Sequence, residues 1–350
     1  MLLDDTVQRI RPLDPAIESE ARRRLDSLTK PRGSLGTLED LACRVAVIQR
    51  RVPPRIGEKI LFLFAADHGI TRESVSAYPS TVTAQMTYNF LRGGAAINIL
   101  ASQYGVEVRV VDVGVDHEFP PDAGIRNFKI QRATNNFVHG PAMSRSQAMR
   151  SIETGIRLVN EANHEKLFLV SAGEMGIGNT TSATAILCVL SGTAPRVVTG
   201  RGTGIDDETL ERKIAVIERG IRHNAPDSDD PVDVLSKVGG FEIGAITGVI
   251  LAAAAAGLPM VLDGFVCGAG ALLACRLAPA VRGVLFASHL SAERGHEIML
   301  RELKLVPLMD LKMRLGEGTG ACIAIGLIEA AARLLAEMAT FESAGVAGKL

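Results

Sequence analysis

The chain has 350 residues, 47% of them hydrophobic and 22% charged, which allows a sizeable buried core and excludes a disordered chain. Its formal net charge is −1 with no long run of one sign, which excludes bulk electrostatic attraction to nucleic acid or an anionic membrane. Aromatic residues make up 4% and Trp is absent, so the stacking platforms of single-strand nucleic-acid binders are missing too.

The opening "MLLDDTVQRIRPLDP" carries charge early and has no apolar h-region, so no secretory signal is expected. Asp14, Pro15 and Glu18 form a helix start: Asp caps, Pro takes the first turn and Glu favours the positive dipole end. A second helix follows "KPRGSLG", from about Leu38 to Gln49. Five apolar runs then recur between helical stretches: "KILFLFAADHG", "EVRVVDVGVD", "KLFLVSAGEMG", "LPMVLDGF" and "RGVLFASH". Near-continuous apolar strands alternating with helices predict an α/β fold with a mostly parallel sheet covered on both faces. Ligands of such sheets gather beyond the carboxyl ends of the strands. That places Asp67, His68, Asp112, Ser171, Glu174, Asp263, Ser288 and His289 near one rim.

The last helix is expected from Gly320 to Met338. The terminal helices lack strands of their own and read as a smaller helical subdomain that offers a subunit interface. The expected division is N-terminal helices at 1–58, a sheet domain with the active site at 59–317, and a C-terminal helix at 318–350 packing with the first segment. One stretch has the length of a bilayer span: Ile243 to Leu262 is twenty residues without a charge. Gly257 and Pro259 interrupt it and Ala dominates its middle, so a buried helix followed by a strand explains it better than a membrane span. The five cysteines form no CxxC pair and sit among apolar residues, as buried reduced thiols in a reducing, cytoplasmic compartment would.

Three motifs have a pattern suited to chemistry. In "LFLVSAGEMGIGNTTSATAILCVL" a strand runs into Gly173, Gly176 and Gly178, and Asn179 and Thr180 open a helix. Glycines let backbone approach an anion, and a helix start offers free N–H groups, so this reads as a phosphate cradle or as a tight capped turn. It is neither a Walker loop nor a GxGxxG fingerprint. In "VVTGRGTGIDDETLERK", Asp206 or Asp207 caps a helix carrying Lys213. Lys213 either completes the phosphate site as a point charge or is a solvated lysine, the better reading of this motif alone. In "MRLGEGTGA", Glu317 stands between Gly316 and Gly318 before a long apolar helix. It is a dipole-stabilised glutamate or a group around which something approaches the backbone. Glu174 repeats the arrangement, and two carboxylates at one rim divide acid and base roles in many enzymes. His289 and His296 come without HExxH or Cys/His spacing, so no metal site is expected.

The blocks "KPRGSLG", "AADHGI", "YPSTVTAQM", "RGGAAIN", "GEMGIGNTT", "DVLSKVGGFEIGAITG", "SHLSAERGH" and "MRLGEGTGA" occur in this order. With them the chain closely resembles the nicotinate-nucleotide–dimethylbenzimidazole phosphoribosyltransferase family, from Lys30 to about Ala331. The resemblance implies a Rossmann-like sheet domain, a small helical domain, a homodimer and no cofactor. It also implies transfer of ribose 5-phosphate from nicotinate mononucleotide to a benzimidazole, in assembly of the cobalamin nucleotide loop. Glu317 is thereby the general base. Gly176, Gly178, Asn179, Thr180, Gly202 and Lys213 are the ribose-phosphate cradle, with Glu174 nearby as a ribose contact or stand-in base. Asp263 and Ser291 are donor-site polar groups. Tyr78 and Gln85 fall in the acceptor-pocket segment, where Met86 stands at a position that is Gln in some relatives. The rival readings are a nucleoside or glycoside hydrolase using Glu174 and Glu317, and a non-catalytic nucleotide-sensing module.

Overall fold

In the computed structural model, which describes residues 1–162 and 164–347, the terminal segment at 318–350 is therefore described to 347. Helices α1 (Leu2–Arg9), α2 (Pro15–Ser27) and α3 (Thr37–Gln49) precede the first strand, β1 (Glu58–Ala66). Then come α4 (Thr81–Leu91), α5 (Ala96–Tyr104), β2 (Val106–Gly114), β3 (Arg126–Asn127), α6 (Arg145–Asn160) and β4 (Leu167–Met175). The second half runs α7 (Asn179–Ser191), α8 (Pro195–Val198), α9 (Asp207–Asn224), α10 (Pro231–Val238), α11 (Phe241–Ala256), β5 (Met260–Leu262), α12 (Phe265–Leu277), β6 (Leu285–Ala287), α13 (His296–Leu303) and α14 (Thr319–Glu337).

All strand pairs are parallel and the order is β3-β2-β1-β4-β5-β6, which reverses direction between β1 and β4. The fold is the Rossmann-like α/β arrangement that the apolar runs imply. The five expected strands are present. The sixth, β3, is a two-residue edge strand with no periodic signal of its own.

Both faces of the sheet are covered. One carries α11, against β1, β2, β4 and β5, with α6 and α1 packed on α11. The other carries α14, against β4 and β5, flanked by α3 and α5. This is why β4 is buried along nearly its whole length and shows no alternation. The uncharged stretch from Ile243 resolves as α11, buried from Phe241 to Ala254 and closed by Gly257 at φ +66°, followed by β5. Among the described residues α14 alone is a helix long and apolar enough to cross a membrane; here Ala321, Cys322, Ala324, Ile325 and Ile328 are buried in the core.

Helix α2 begins as its sequence dictates, with Asp14 Oδ1 accepting the Ala16 N–H at 2.9 Å. At the other end of the chain, Arg24 donates to the carbonyls of Leu335 and Ala336, and Leu28 bridges Thr340. These contacts gather α2, α3 and α14, while α1 lies apart on α6 and α11. One hydrophobic cluster runs through all of them, from Leu25 and Leu41 to Phe62 and Ile325.

Helices α6 and α11 cross at close range. A Cβ on Gly155 would fall on the Ala245 carbonyl oxygen and 2.7 Å from the Val249 nitrogen, and Gly244 and Gly248 present similar bare backbone to α6. Backbone cannot yield as a side-chain tip can, so Gly155→Ala is expected to cost about 1–3 kcal/mol as overpacking. A denaturant midpoint equal to the parent's would contradict that packing.

Candidate active site

The strand ends at the switch point position the functional groups. Beyond β4, β5 and β6 opens a cleft of about 450 Å³ lined by the β4–α7 turn, the residues after β5 and β6, the segment Arg314 to Glu317, the turn Arg201 to Thr203, and α4 with the loop before it. Such a volume suits a small organic substrate. Of the residues singled out in the sequence, Tyr78, Met86, Glu174, Gly176, Gly178, Asn179, Thr180, Gly202, Lys213, Ser291 and Glu317 line it.

Two do not. Asp263 is buried and spends both oxygens on backbone, Oδ2 accepting the Gly318 N–H and Oδ1 the Ala321 N–H, each at 3.1 Å. It therefore fixes the start of α14 from outside the cleft. Gln85 is exposed, because α4 turns Val82 and Met86, four apart, toward the cleft. Of the other expected rim groups, Asp67 and Asp112 brace the turns after β1 and β2, accepting from Asp116 N and from Gly114 N and Val115 N. Ser171 donates to the Val261 carbonyl inside the sheet.

At one end of the cleft, β4 leads into α7 through Gly178 at φ +95°. Lys213 reaches this turn from α9, whose start is capped by Asp206 through Thr209 N–H at 2.8 Å. The lysine is 1% exposed, and its Nζ donates to Thr180 Oγ1 at 2.8 Å and to the Gly200 carbonyl at 3.4 Å. Among the described residues no carboxylate pairs with it directly. Burial pushes its pKa down to about 8, partly opposed by the charge of Glu293. It is thus a buried cation, not the solvated lysine that its helix suggests. Gly202 keeps this corner open: a Cβ there would sit 3.1 Å from Thr180 Oγ1 and 3.5 Å from Lys213 Nζ. Arg314 Nη1 donates to the Gly202 carbonyl at 2.7 Å, and Arg201 stands beside it. Neither arginine has a sequence signal beyond its charge.

At the facing wall, Gly316, Glu317 and Gly318 have φ of +83°, +63° and +88°. Three successive left-handed residues form a turn that glycines on both sides make accessible. Close approach is also required, since a Cβ on Gly316 would strike Glu174 Oε1. The flanking glycines thus serve both a left-handed backbone and a close approach. Glu317 is 4% exposed, and its Oε2 is buried with no hydrogen-bond partner among the described residues. Burial pushes its pKa up to about 7, against the Ile97 N–H, which favours the anion, and with the nearby charge of Asp263.

Glu174 lies between the two ends and accepts from Asn179 Nδ2. Burial, then the charges of Glu242 and Asp263, push it up to about 8, with Asn179 opposing. A raised carboxyl binds a proton in the folded chain that the unfolded chain releases near 4.5. Its stabilising contribution is full below that value and is lost as pH rises through about 8. Glu174→Gln is therefore expected to raise Tm at pH 8, by roughly 2–5 °C, and to leave it nearly unchanged at pH 4.5. An identical shift at both pH values would remove the titration argument.

Below the cradle lies a buried pair in which the rim histidine His68 meets Glu242, an acid outside the expected site residues. His68 Nε2 meets Glu242 Oε1 at 2.7 Å and Nδ1 meets Ser182 Oγ at 3.2 Å. Glu242 is an acid inside an otherwise charge-free stretch after Gly239 and Gly240, a signal that was available. On the opposite side, burial pushes His296 down to about 3, with His289 adding to the effect; its neutral Nδ1 accepts the Ser291 N–H at 2.8 Å and fixes Ser291 in the wall.

Comparison with known proteins gives a consistent picture. A family model described as phosphoribosyltransferase matches residues 10–346. The nicotinate-nucleotide–dimethylbenzimidazole phosphoribosyltransferase of Geobacter sulfurreducens is 54% identical over 99% of this chain and 98% of its own length. The protein of that name from Desulforamulus reducens is 52% identical over 99% of both. A crystal structure of the enzyme of the same name from Thermus thermophilus superposes with a TM-score of 0.90 at 46% identity, covering 96% of this chain and 100% of that one.

Proposed function

This chain belongs to the phosphoribosyltransferase family so matched, and from that premise we propose that it transfers ribose 5-phosphate from nicotinate mononucleotide to 5,6-dimethylbenzimidazole or a related base. The products are nicotinate and α-ribazole 5′-phosphate, for the nucleotide loop of cobalamin. The observation that carries the reading is the pairing, across one cleft, of a buried ammonium that donates to neutral oxygens and a buried carboxyl group whose Oε2 has no partner among the described residues. The first suits a phosphate; the second suits a proton to be taken.

The donor's leaving group is already a pyridinium, so nicotinate departs neutral at its nitrogen and needs no acid. The acceptor nitrogen attacks the anomeric carbon from the opposite face, converting a β donor into an α product. As that bond forms, the benzimidazole gives its other N–H proton to Glu317. Lys213, Thr180 and the Gly176–Thr180 turn hold the phosphate, and Ser291 and Glu174 flank the ribose. The acceptor lies against Tyr78, Val82 and Met86, whose apolar surfaces favour a flat hydrophobic base. The same reading has the enzyme working as a cytoplasmic homodimer. Exposed Ile99 on α5 and Leu327 on the adjoining α14 support a subunit contact, and five free, buried cysteines support a reducing compartment.

Incubation with nicotinate mononucleotide, with and without 5,6-dimethylbenzimidazole, tests this. Nicotinate is expected to appear only with the base, together with α-ribazole phosphate. Release without the base would make the protein a hydrolase, and binding without turnover would make it a sensor.

A further inference from the structure

Lys213 is a buried cation whose hydrogen-bond partners are neutral, an arrangement that needs a nearby negative charge to persist. Glu293 supplies one from the loop after β6. It is 8% exposed, lines the same cleft, and its carboxylate fills the space where a Gly200 Cβ would stand, its Cδ 3.0 Å from that point. Gly200 is the residue whose carbonyl accepts from Lys213, so ammonium and carboxylate both lie against one bare backbone unit. The Ser291 hydroxyl accepts the Glu293 N–H at 3.3 Å and the Glu293 carbonyl accepts the His296 N–H at 2.9 Å, so the loop is fixed at both sides.

We propose that Glu293 is a positioning residue for the donor phosphate: it is the resident counter-charge that keeps Lys213 protonated before the phosphate arrives. The inference rests on the reading of Lys213 as a phosphate ligand. Other charged groups around the lysine are engaged elsewhere or share its sign. Helix α7 brings only Cys188 as a titratable group, and Arg196 on α8 pairs with Glu211. Asp233 and Lys237 on α10 pair with each other, and Arg212 on α9 pairs with Glu208. On the cleft side stand Arg201, Arg314 and Glu174. Of all these carboxylates, Glu293 is the one whose charge holds the Lys213 proton on. The same charge repels a bound phosphate, so Glu293 exchanges some donor affinity for a site that is charged over a wider pH range.

Inorganic phosphate is the probe, its binding to the intact protein followed calorimetrically from pH 6 to 9.5. The parent protein is expected to lose affinity along an alkaline limb. In Glu293→Gln that limb should move to lower pH by about half a unit or more, while binding near pH 6.5 tightens about 3- to 10-fold as the repulsion is removed. Glu293→Asp should restore most of the parent limb, and in a Lys213→Met background Glu293→Gln should leave the pH dependence unchanged. A merely structural role would weaken binding at every pH and move no limb; that result overturns the inference while leaving the phosphate reading intact. Absence of phosphate binding by the parent protein at any pH would overturn both.

Discussion

Glu317→Gln is expected to bind nicotinate mononucleotide as the parent does and to turn it over roughly 10²–10⁴-fold more slowly. The substitution keeps the size and polarity of a group that is buried in the cleft wall, and it removes only basicity. Burial and the charge of Asp263 push Glu317 up to about 7, with the Ile97 N–H opposing. A base must be ionised to accept a proton, so the parent turnover should rise with pH through about 7 and level off above it. In Glu317→Gln the residual rate should lose that acid limb. Single-turnover measurements across pH 5.5–8.5 separate this from a binding effect. Equal rates, or a slow variant with the limb unmoved, would transfer the role to Glu174, whose carboxyl lies against Gly316 in the same cleft.

Lys213→Met should have the second largest effect, on a different constant. Methionine preserves the buried aliphatic stem and deletes the ammonium that donates to Thr180 Oγ1 and the Gly200 carbonyl. A charged hydrogen bond to phosphate is worth about 1.5–3 kcal/mol, so donor KM should rise about 10- to 100-fold with acceptor KM little changed. The pH dependence has the opposite sign to that of Glu317. Burial depresses Lys213 to about 8, so the charged form is lost as pH rises through that value, and donor kcat/KM should fall on an alkaline limb near there. Lys213→Met should show no such limb. An unchanged donor KM would return Lys213 to a structural role in the core.

Much of this protein is decided locally and is therefore legible in one dimension. The start of α2 at Asp14 and Pro15, the closure of α11 at Gly257, and the five apolar strands follow from capping, φ preference and burial on two faces. The Gly-Glu-Gly turn announced a carboxylate in an unusual backbone setting, and its three positive φ values are that setting. What the tertiary structure decided is which polar groups meet. Asp263 ends a strand as a site residue would, yet the free N–H groups of α14, far along the chain, capture both its oxygens. Lys213 sits on an amphipathic helix like many solvated lysines, and only the packing of α9 on α7 beside the Gly200–Gly202 turn buries it. Glu293 and Glu242 acquire their partners the same way, from segments far apart in the chain. Local sequence fixes backbone geometry because its determinants lie within a few residues. The charge state of a buried group depends on desolvation and on neighbours brought together from separate strands, which only the folded sheet supplies.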